Sequence, residues 1–189
     1  MQHHPGEWCS HGVGDTPVVL WGTVWVSRSE ECVTETSSPP DLMQQLSTHP
    51  FVKGLPAQDV GSLAELVRAE EFEPLDVLFR SGSEADTFYL IRTGVVSLKV
   101  DTGRASTRRV QTISEGSALG WSWLFPPFIW QFDAIAQTPV RCFAFDAAAL
   151  RAKFDEDPRC GYHVMGRVAE IMAERLQATR RQMHSLARR

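Results

Sequence analysis

The stretch Val77–Val100, VLFRSGSEADTFYLIRTGVVSLKV, carries the pattern that decides the fold. Short segments in which apolar and polar residues alternate are separated by SGSEAD at Ser81–Asp86 and by RTGV at Arg92–Val95. Alternation with a period of two is typical of half-buried β-strands. Each break carries a glycine, the residue that most readily adopts a positive φ. The stretch therefore predicts three short antiparallel strands joined by tight turns.

The same pattern continues on both sides of this stretch, with each strand bounded by Gly, Pro or Asp. Further strands are predicted at Glu71–Phe72, Thr107–Ile113, Phe132–Ala136 and Val140–Phe145. Short antiparallel strands at this spacing indicate a small roll or barrel.

Helical patterns flank the predicted roll. Residues Asp41–Leu55 are predicted to form a short helix and a turn, and Ala57–Arg68 a helix with one apolar face. After the last strand, Asp146–Asp157 begins with an Asp as candidate N-cap and stops before a proline. A long helix then runs over about Arg159–Ala187. The predicted fold class is α+β, an antiparallel β-roll of the double-stranded β-helix or jelly-roll type with flanking helices and a long C-terminal dimerisation helix.

The long helix contains a heptad pattern in which the apolar positions recur every three and four residues. The predicted seam consists of Met165, Ala169, Met172, Leu176, Thr179, Met183 and Leu186. A seam of this kind requires a partner helix, and a second copy of the chain is the simplest partner. We therefore predict a homodimer formed through this helix; the alternative is that the stripe packs on the chain's own roll.

Composition sets the class of the protein. The chain has 189 residues, 43% hydrophobic and 22% charged, which is ordinary for a soluble globular domain. The net charge of −4 gives no overall attraction to nucleic acid or to anionic lipid, so we expect no specific DNA binding and no membrane association. No apolar run reaches the roughly 18 residues of a spanning helix, and a cytoplasmic location is expected. The predicted domains are residues 1–40, 41–157 and 158–189.

Residues 1–40 differ from the rest because Gly, Pro and Ser interrupt any helical period. We predict a poorly ordered arm, and we hypothesise that the natural chain starts later, at Val33 or Met43. The group His3, His4, Cys9 and His11 lacks the paired spacing of a metal site. The four cysteines of the chain form no C-x-x-C pair, and no metal is predicted.

Sequence motifs of the common enzyme classes are absent. The chain has no G-x-S-x-G, no H-E-x-x-H, no Walker loop and no dinucleotide-binding fingerprint. We therefore predict a protein that is not an enzyme, with no catalytic residue and no cofactor.

Three segments together carry a family resemblance. They are Val77–Val100; ISEGSALGWSWL at Ile113–Leu124, with Gly116 and Gly120; and AERLQATRRQMHSLA at Ala173–Ala187. In this order they resemble the cyclic-nucleotide-binding domain of the catabolite activator protein and of the protein kinase A regulatory subunit. The resemblance covers about four-fifths of the chain, from Pro40 onward. It implies that Gly116 and Gly120 precede a phosphate-binding cassette, and that the last helix is a dimer helix.

Two positions of the cassette depart from the family pattern. The resemblance implies a Glu after the second glycine, bonded to the ribose 2′-hydroxyl, and Trp121 stands there. It also implies an Arg ten positions after that glycine, paired with the cyclic phosphate, and Trp130 stands there. Charge-assisted hydrogen bonds contribute roughly 1.5–3 kcal/mol each. We therefore expect the loss of both to weaken binding of cAMP or cGMP by several powers of ten.

The cassette is replaced by WSWLFPPFIWQF, Trp121–Phe132, in which half of the residues are aromatic. Three interpretations remain open: a remodelled pocket for a flatter, more apolar ligand of unknown identity, rings that fill the old nucleotide cavity, or exposed rings that dock a partner protein.

The long helix supplies further candidate site residues through the resemblance. Thr179 matches a position from which the dimer helix of bacterial activators reaches the nucleotide base. Arg180 follows it and is a candidate for a displaced positive charge. The predicted ligand-binding residues are Gly120, Trp121, Ser122, Trp123, Leu124, Trp130, Gln131, Thr179 and Arg180.

The predicted function is a non-catalytic, homodimeric ligand-sensing or regulatory module. Family resemblance implies that a ligand in the cassette repositions the helix after the roll, and the output would then require a separate effector protein. One alternative is a self-plugged structural or protein-interaction module. Another is a cAMP-responsive transcription regulator that lacks its DNA-binding domain, because family activators continue into a helix-turn-helix and this sequence stops at Arg189.

Overall fold

Two four-stranded antiparallel sheets form the body of the molecule. The structure, a computed structural model, describes residues 39–101 and 107–187. Their strands are β1 (Val67–Phe72), β2 (Val77–Phe79), β3 (Thr87–Thr93), β4 (Val95–Asp101), β5 (Thr107–Ser114), β6 (Ala118–Leu119), β7 (Asp133–Ala136) and β8 (Val140–Asp146). One sheet has the order β1-β8-β3-β6 and the other β2-β7-β4-β5. These crossed connections confirm the predicted α+β fold with an antiparallel roll.

The observed strands follow the predicted ones to within a residue, with two exceptions. Strand β1 was predicted only at Glu71–Phe72 but begins at Val67, and the short β6 was not predicted. The turn between β3 and β4 depends on Gly94, whose φ is +93°. A Cβ atom there would collide with the carbonyl oxygen of Pro139, so only glycine fits.

Helices cover the open side of the roll. They are α1 (Pro39–Thr48), a 3-10 turn at Pro50–Val52, α2 (Ala57–Ala64), α3 (Ala147–Glu156) and α4 (Pro158–Ala187). The predicted helix Ala57–Arg68 was too long, because Val67 already pairs with Phe145 in the sheet. The predicted N-cap of α3 is confirmed, since Asp146 Oδ1 accepts a hydrogen bond of 2.7 Å from Ala149 N–H.

The first half of α4 packs on the roll and on the N-terminal helices. Cys160, Val164 and Val168 of this helix are buried in the core. The Nδ1 atom of His163 lies 2.6 Å from Oδ2 of the buried Asp59 on α2. These contacts fix the rotation of α4 about its own axis.

A face of α4 next to the roll-facing one carries most of the predicted seam. Met165, Leu176 and Met183 are 39%, 53% and 65% exposed, and Thr179 is also exposed. Of the seam residues whose side chains are described, Met172 alone packs against the core. The seam as a whole therefore does not pack on the roll of its own chain.

Several predictions fall on residues outside the described part of the chain. These are the arm of residues 1–40 apart from its last two residues, the group His3, His4, Cys9 and His11, and the side chain of Leu186. Within the described residues, no helix is long and apolar enough to cross a membrane.

Candidate functional site

The segment between β6 and β7, here called the cassette segment (Gly120–Phe132), begins with a backbone conformation that favours glycine. Gly120 has φ +85° and caps a 3-10 turn at Trp121–Leu124. This turn directs Trp121 and Trp123 to different sides: Trp121 lines a cavity, and Trp123 points into the core. The turn that begins at Gly120 thus places Trp121 in the cavity wall and Trp123 in the core.

The far end of the cassette segment is held against the loop between β2 and β3. The Trp130 N–H donates to the Ser83 carbonyl at 2.9 Å, and the Trp130 carbonyl accepts from Gly82 N–H at 2.9 Å. Nearby, Ala85 N–H donates to the Phe128 carbonyl at 2.7 Å. Because both polar groups of the Trp130 backbone are hydrogen-bonded, the direction of its Cα–Cβ bond is held.

The Trp130 indole fills the space in front of Gly120. Its ring stacks on Phe79, with centroids 3.8 Å apart and an interplanar angle of 11°, and the residue is only 3% exposed. A Cβ atom on Gly120 would lie 2.6 Å from Cη2 of Trp130, which is closer than real Cβ contacts. The glycine that the resemblance places before a phosphate-binding cassette is therefore covered by an aromatic ring.

Trp123 belongs to the core and not to a cavity beside Trp130. It is completely buried and contacts the rings of Phe88 and Phe154, at centroid distances of 5.8 and 6.1 Å. Arg151 of α3 donates from Nη1 to the Trp123 carbonyl at 3.0 Å and lies over the Phe128 ring. Among the predicted residues, Ser122 and Leu124 are half-buried and Gln131 is exposed.

The cavity that remains beside Trp130 is small, about 70 Å³. Its lining combines apolar side chains with a few polar ones: Phe79, Leu98, Gln111, Leu119, Gly120, Trp121, Ser122, Trp130, Gln131, Phe132 and Arg175. Pockets that hold a drug-sized ligand measure roughly 300–1,000 Å³. The cavity therefore has room for a small chemical group and not for a nucleotide.

Arg175 of α4 is the one charged side chain in the described lining of this cavity, and it was not among the residues predicted from the sequence. Its guanidinium lies 4.6 Å from the Trp121 ring centroid, and its Nη2 donates to the Ala118 carbonyl. Burial lowers the pKa of Arg175 to about 10, so the side chain stays protonated at neutral pH. None of the ion pairs between described residues includes it.

The two candidates predicted on the long helix lie elsewhere. Thr179 and Arg180 are exposed, and neither lines the cavity. The Thr179 hydroxyl donates to the Arg175 carbonyl of its own helix at 3.0 Å. The sequence did hold a signal for Arg175: it continues the spacing of the roll-facing residues Val164, Val168 and Ile171.

An open cleft continues outward from Arg175 between β5 and α4. It measures about 520 Å³ and shares Gln111 and Arg175 with the small cavity, while Arg181 lines only the cleft. Within the described residues, no three His, Cys, Asp or Glu side chains cluster in a way that could hold a metal ion.

Comparison with known proteins finds one matching family model and a curated relative. Residues 69–157 match the family model described as the cyclic nucleotide-binding domain. The chain is 29% identical over 110 residues to the cAMP-dependent protein kinase regulatory subunit of Candida albicans, an alignment that spans 58% of this chain and 23% of that protein.

Solved structures share the fold. A crystal structure from Geobacter metallireducens, described as that of a cyclic nucleotide-binding protein, aligns with TM-score 0.64 and 26% identity, over 70% of this chain and 96% of that chain. The catabolite activator protein of Thermus thermophilus aligns with TM-score 0.59 and 19% identity, over 73% of this chain and 63% of that chain.

Proposed function

We propose that the domain formed by residues 69–157, which belongs to the cyclic nucleotide-binding domain family, is a non-catalytic regulatory module whose cassette cavity is filled by its own Trp130. In this proposal the module does not bind cAMP or cGMP in the usual way. It acts as a homodimer, in the cytoplasm, through a separate effector protein. The observation that carries the proposal is the Trp130 indole stacked on Phe79 and seated on Gly120.

Cavity size supports this proposal. About 70 Å³ remains beside the buried Trp130, well below the roughly 300 Å³ at which ligand pockets begin. Admitting a nucleotide would require the indole to leave. Its stacking on Phe79, with the ring centroids 3.8 Å apart, and its burial oppose that movement.

The distribution of charge supports it as well. Among the described residues that line the cavity, there is no carboxylate that could bind a ribose hydroxyl. The one cation in this described lining, Arg175, comes from α4 and not from the cassette segment. A cyclic phosphate that enters a site of low polarity needs a guanidinium fork or several aligned N–H donors. The cassette segment, with Trp121 and Trp130 at the two family positions, supplies neither side chain.

A titration with cyclic nucleotides tests the proposal. Isothermal titration calorimetry with cAMP and cGMP should give no saturable heat, which corresponds to a Kd weaker than about 1 mM. Saturable micromolar binding of either nucleotide would overturn the proposal, because Trp130 would then have to yield to the ligand.

Exposed apolar residues on α4 support the homodimer. Met165, Leu176 and Met183 leave considerable apolar surface on one face of a helix whose other face packs on the roll. Apolar residues at heptad spacing are stabilised by a facing helix. A second copy of the chain offers the same face in return.

Sedimentation equilibrium tests the homodimer with a matched pair of substitutions. Leu176→Lys places a charge in the proposed seam, and we expect this variant to be monomeric at concentrations where the wild type is dimeric. Gln177→Lys adds the same charge at the adjacent exposed position, outside the seam, and should remain dimeric. A wild-type monomer, or equal effects of the two substitutions, would contradict this part of the proposal.

A ligand-sensing function is the second candidate. It is favoured by the half-buried Arg175, which lines the residual cavity without an ion-pair partner among the described residues.

A further inference from the structure

Arg175 is a half-buried cation with few of its hydrogen-bonding groups in use. A guanidinium carries five N–H donors, and among the described residues the structure shows one hydrogen bond from this side chain, to the Ala118 carbonyl. The Trp121 ring stabilises the charge from one side. No described carboxylate lies within ion-pairing distance of the guanidinium. A desolvated charge in this condition is stabilised when an anion binds to it.

The surroundings of Arg175 limit the kind of anion. Two amide side chains, Gln111 of β5 and Gln131 of the cassette segment, line the same cavity and can donate hydrogen bonds. Phe79, Leu98 and Phe132 make the rest of the wall apolar. A matching ligand therefore has one anionic group and a small apolar body.

We propose that Arg175 binds a short carboxylate at the junction between the small cavity and the cleft along α4, with its oxygens on the guanidinium and its hydrocarbon part in the cavity. This inference rests on the proposed function, because Trp130 stays in place and only the residual space is used. About 70 Å³ of space corresponds to roughly two water molecules of about 30 Å³ each, which suits the short hydrocarbon part of a carboxylate with two to four carbons.

A planar carboxylate suits this position better than a phosphate does. Two parallel N–H···O bonds join a guanidinium to a carboxylate with the charges balanced one to one. A doubly charged phosphate would need a second cation, and in the described lining of the cavity Arg175 is the only one. Arg181 lines the outer cleft and is exposed.

The test is an NMR titration of the ¹⁵N-labelled full-length protein with acetate, propionate and butyrate at constant ionic strength. Sodium chloride and inorganic phosphate serve as comparison anions. We expect butyrate or propionate to shift the Arg175 Nε–H and Trp121 indole N–H resonances saturably, and chloride and phosphate to bind at least ten-fold more weakly. Arg175→Gln should weaken carboxylate binding at least ten-fold. Arg180→Gln, which removes a charge from an exposed position of the same helix, should change it less than two-fold.

Two results would overturn the site: no saturable shift with any of the three carboxylates, or equal binding by wild type and Arg175→Gln. If circular dichroism shows that Arg175→Gln does not fold, Arg175→Lys and Gln111→Ala provide the same test. Arg175→Lys keeps the positive charge but lacks the two parallel N–H donors of a guanidinium, so it should bind the carboxylate more weakly than the wild type does.

Failure of this site is distinguishable from failure of the proposed function. Micromolar binding of cAMP would refute the self-filled cavity. Absence of carboxylate binding, together with absence of cAMP binding, would refute the Arg175 site alone.

Discussion

Replacing Trp130 by alanine tests the central contact of the proposed self-filled cavity. The substitution removes the indole that stacks on Phe79 at 3.8 Å and covers Gly120, and it leaves the backbone hydrogen bonds of residue 130 available. The expected result is a large loss of stability together with an opened cavity.

The magnitude follows from burial. Trp130 is 3% exposed, and a buried tryptophan removes about 150–250 Å² from water. At about 25 cal/mol per Å², this corresponds to about 4–6 kcal/mol. Large-to-small substitutions at buried aromatic positions cost about 3–5 kcal/mol. We therefore expect Trp130→Ala to lower the free energy of unfolding by about 4 kcal/mol, and Trp130→Phe, which keeps one ring on Phe79, to lower it by less.

The assay is urea unfolding followed by circular dichroism, because the substitution itself changes the tryptophan fluorescence. Phe125→Ala is the matched control: it removes an aromatic ring from the same segment at a position that is 49% exposed. This control should change the free energy of unfolding by less than about 1 kcal/mol. A loss in Trp130→Ala no larger than that in Phe125→Ala would refute the filled cavity.

The opened cavity offers an independent readout. Apolar cavities created by removing a buried side chain bind small aromatic molecules. Added indole should therefore stabilise Trp130→Ala in a concentration-dependent way and leave the wild type unchanged. Stabilisation of the wild type by indole would mean that space for a ring exists while Trp130 is in place.

Three further predictions concern single residues around the site and the helices. Gly120→Ala combines a positive φ with a Cβ atom 2.6 Å from Trp130, so it should cost at least about 2 kcal/mol in urea unfolding, and less in a Trp130→Ala background. Burial lowers the pKa of His49, so the unfolded chain takes up a proton more readily than the folded one. The free energy of unfolding should therefore fall as the pH drops below about 6.5. A His49→Gln variant should show a smaller fall in Tm between pH 8 and pH 5 than the wild type does. Replacing His163 by alanine leaves the buried Asp59 carboxylate without this partner and should cost about 3 kcal/mol, while the double Asp59→Ala/His163→Ala variant should cost less than the sum of the single ones.

The fold could be predicted because its signals are local. Alternating residues and glycine-bearing breaks located β2, β3 and β4 almost to the residue, and the positive φ values of Gly82 and Gly94 confirm the reason given for those breaks. The sequence misplaced the end of α2 because Leu66 and Val67 continue an apolar helical face, whereas Val67 pairs with strand β8. Tertiary pairing outweighed the local pattern there.

The site could be predicted only in part. Trp121 and Trp130 were predicted as ligand-binding residues from their spacing after Gly120, and both line the small cavity; that they bind a ligand stays a prediction. Arg175 was missed because it reaches the cavity from a distant helix. Its direction depends on the rotation of α4, which the contacts of Val164 and Val168 with the core set. Sequence spacing alone does not define that rotation.

Under the proposed function, Trp130 stabilises the fold by filling the cavity from within. With Trp121 and Trp130 in it, the wall of this cavity is largely apolar, and an apolar cavity does not retain water well. An empty space of about 300 Å³ would cost about 7 kcal/mol at roughly 24 cal/mol per Å³. That is comparable to the whole stability of a small domain, about 5–15 kcal/mol. Trp130 removes most of this cost and leaves only the opening in front of Arg175. Under this proposal, that opening is where a small ligand can still act on α4, and with it on the helix face that carries Leu176.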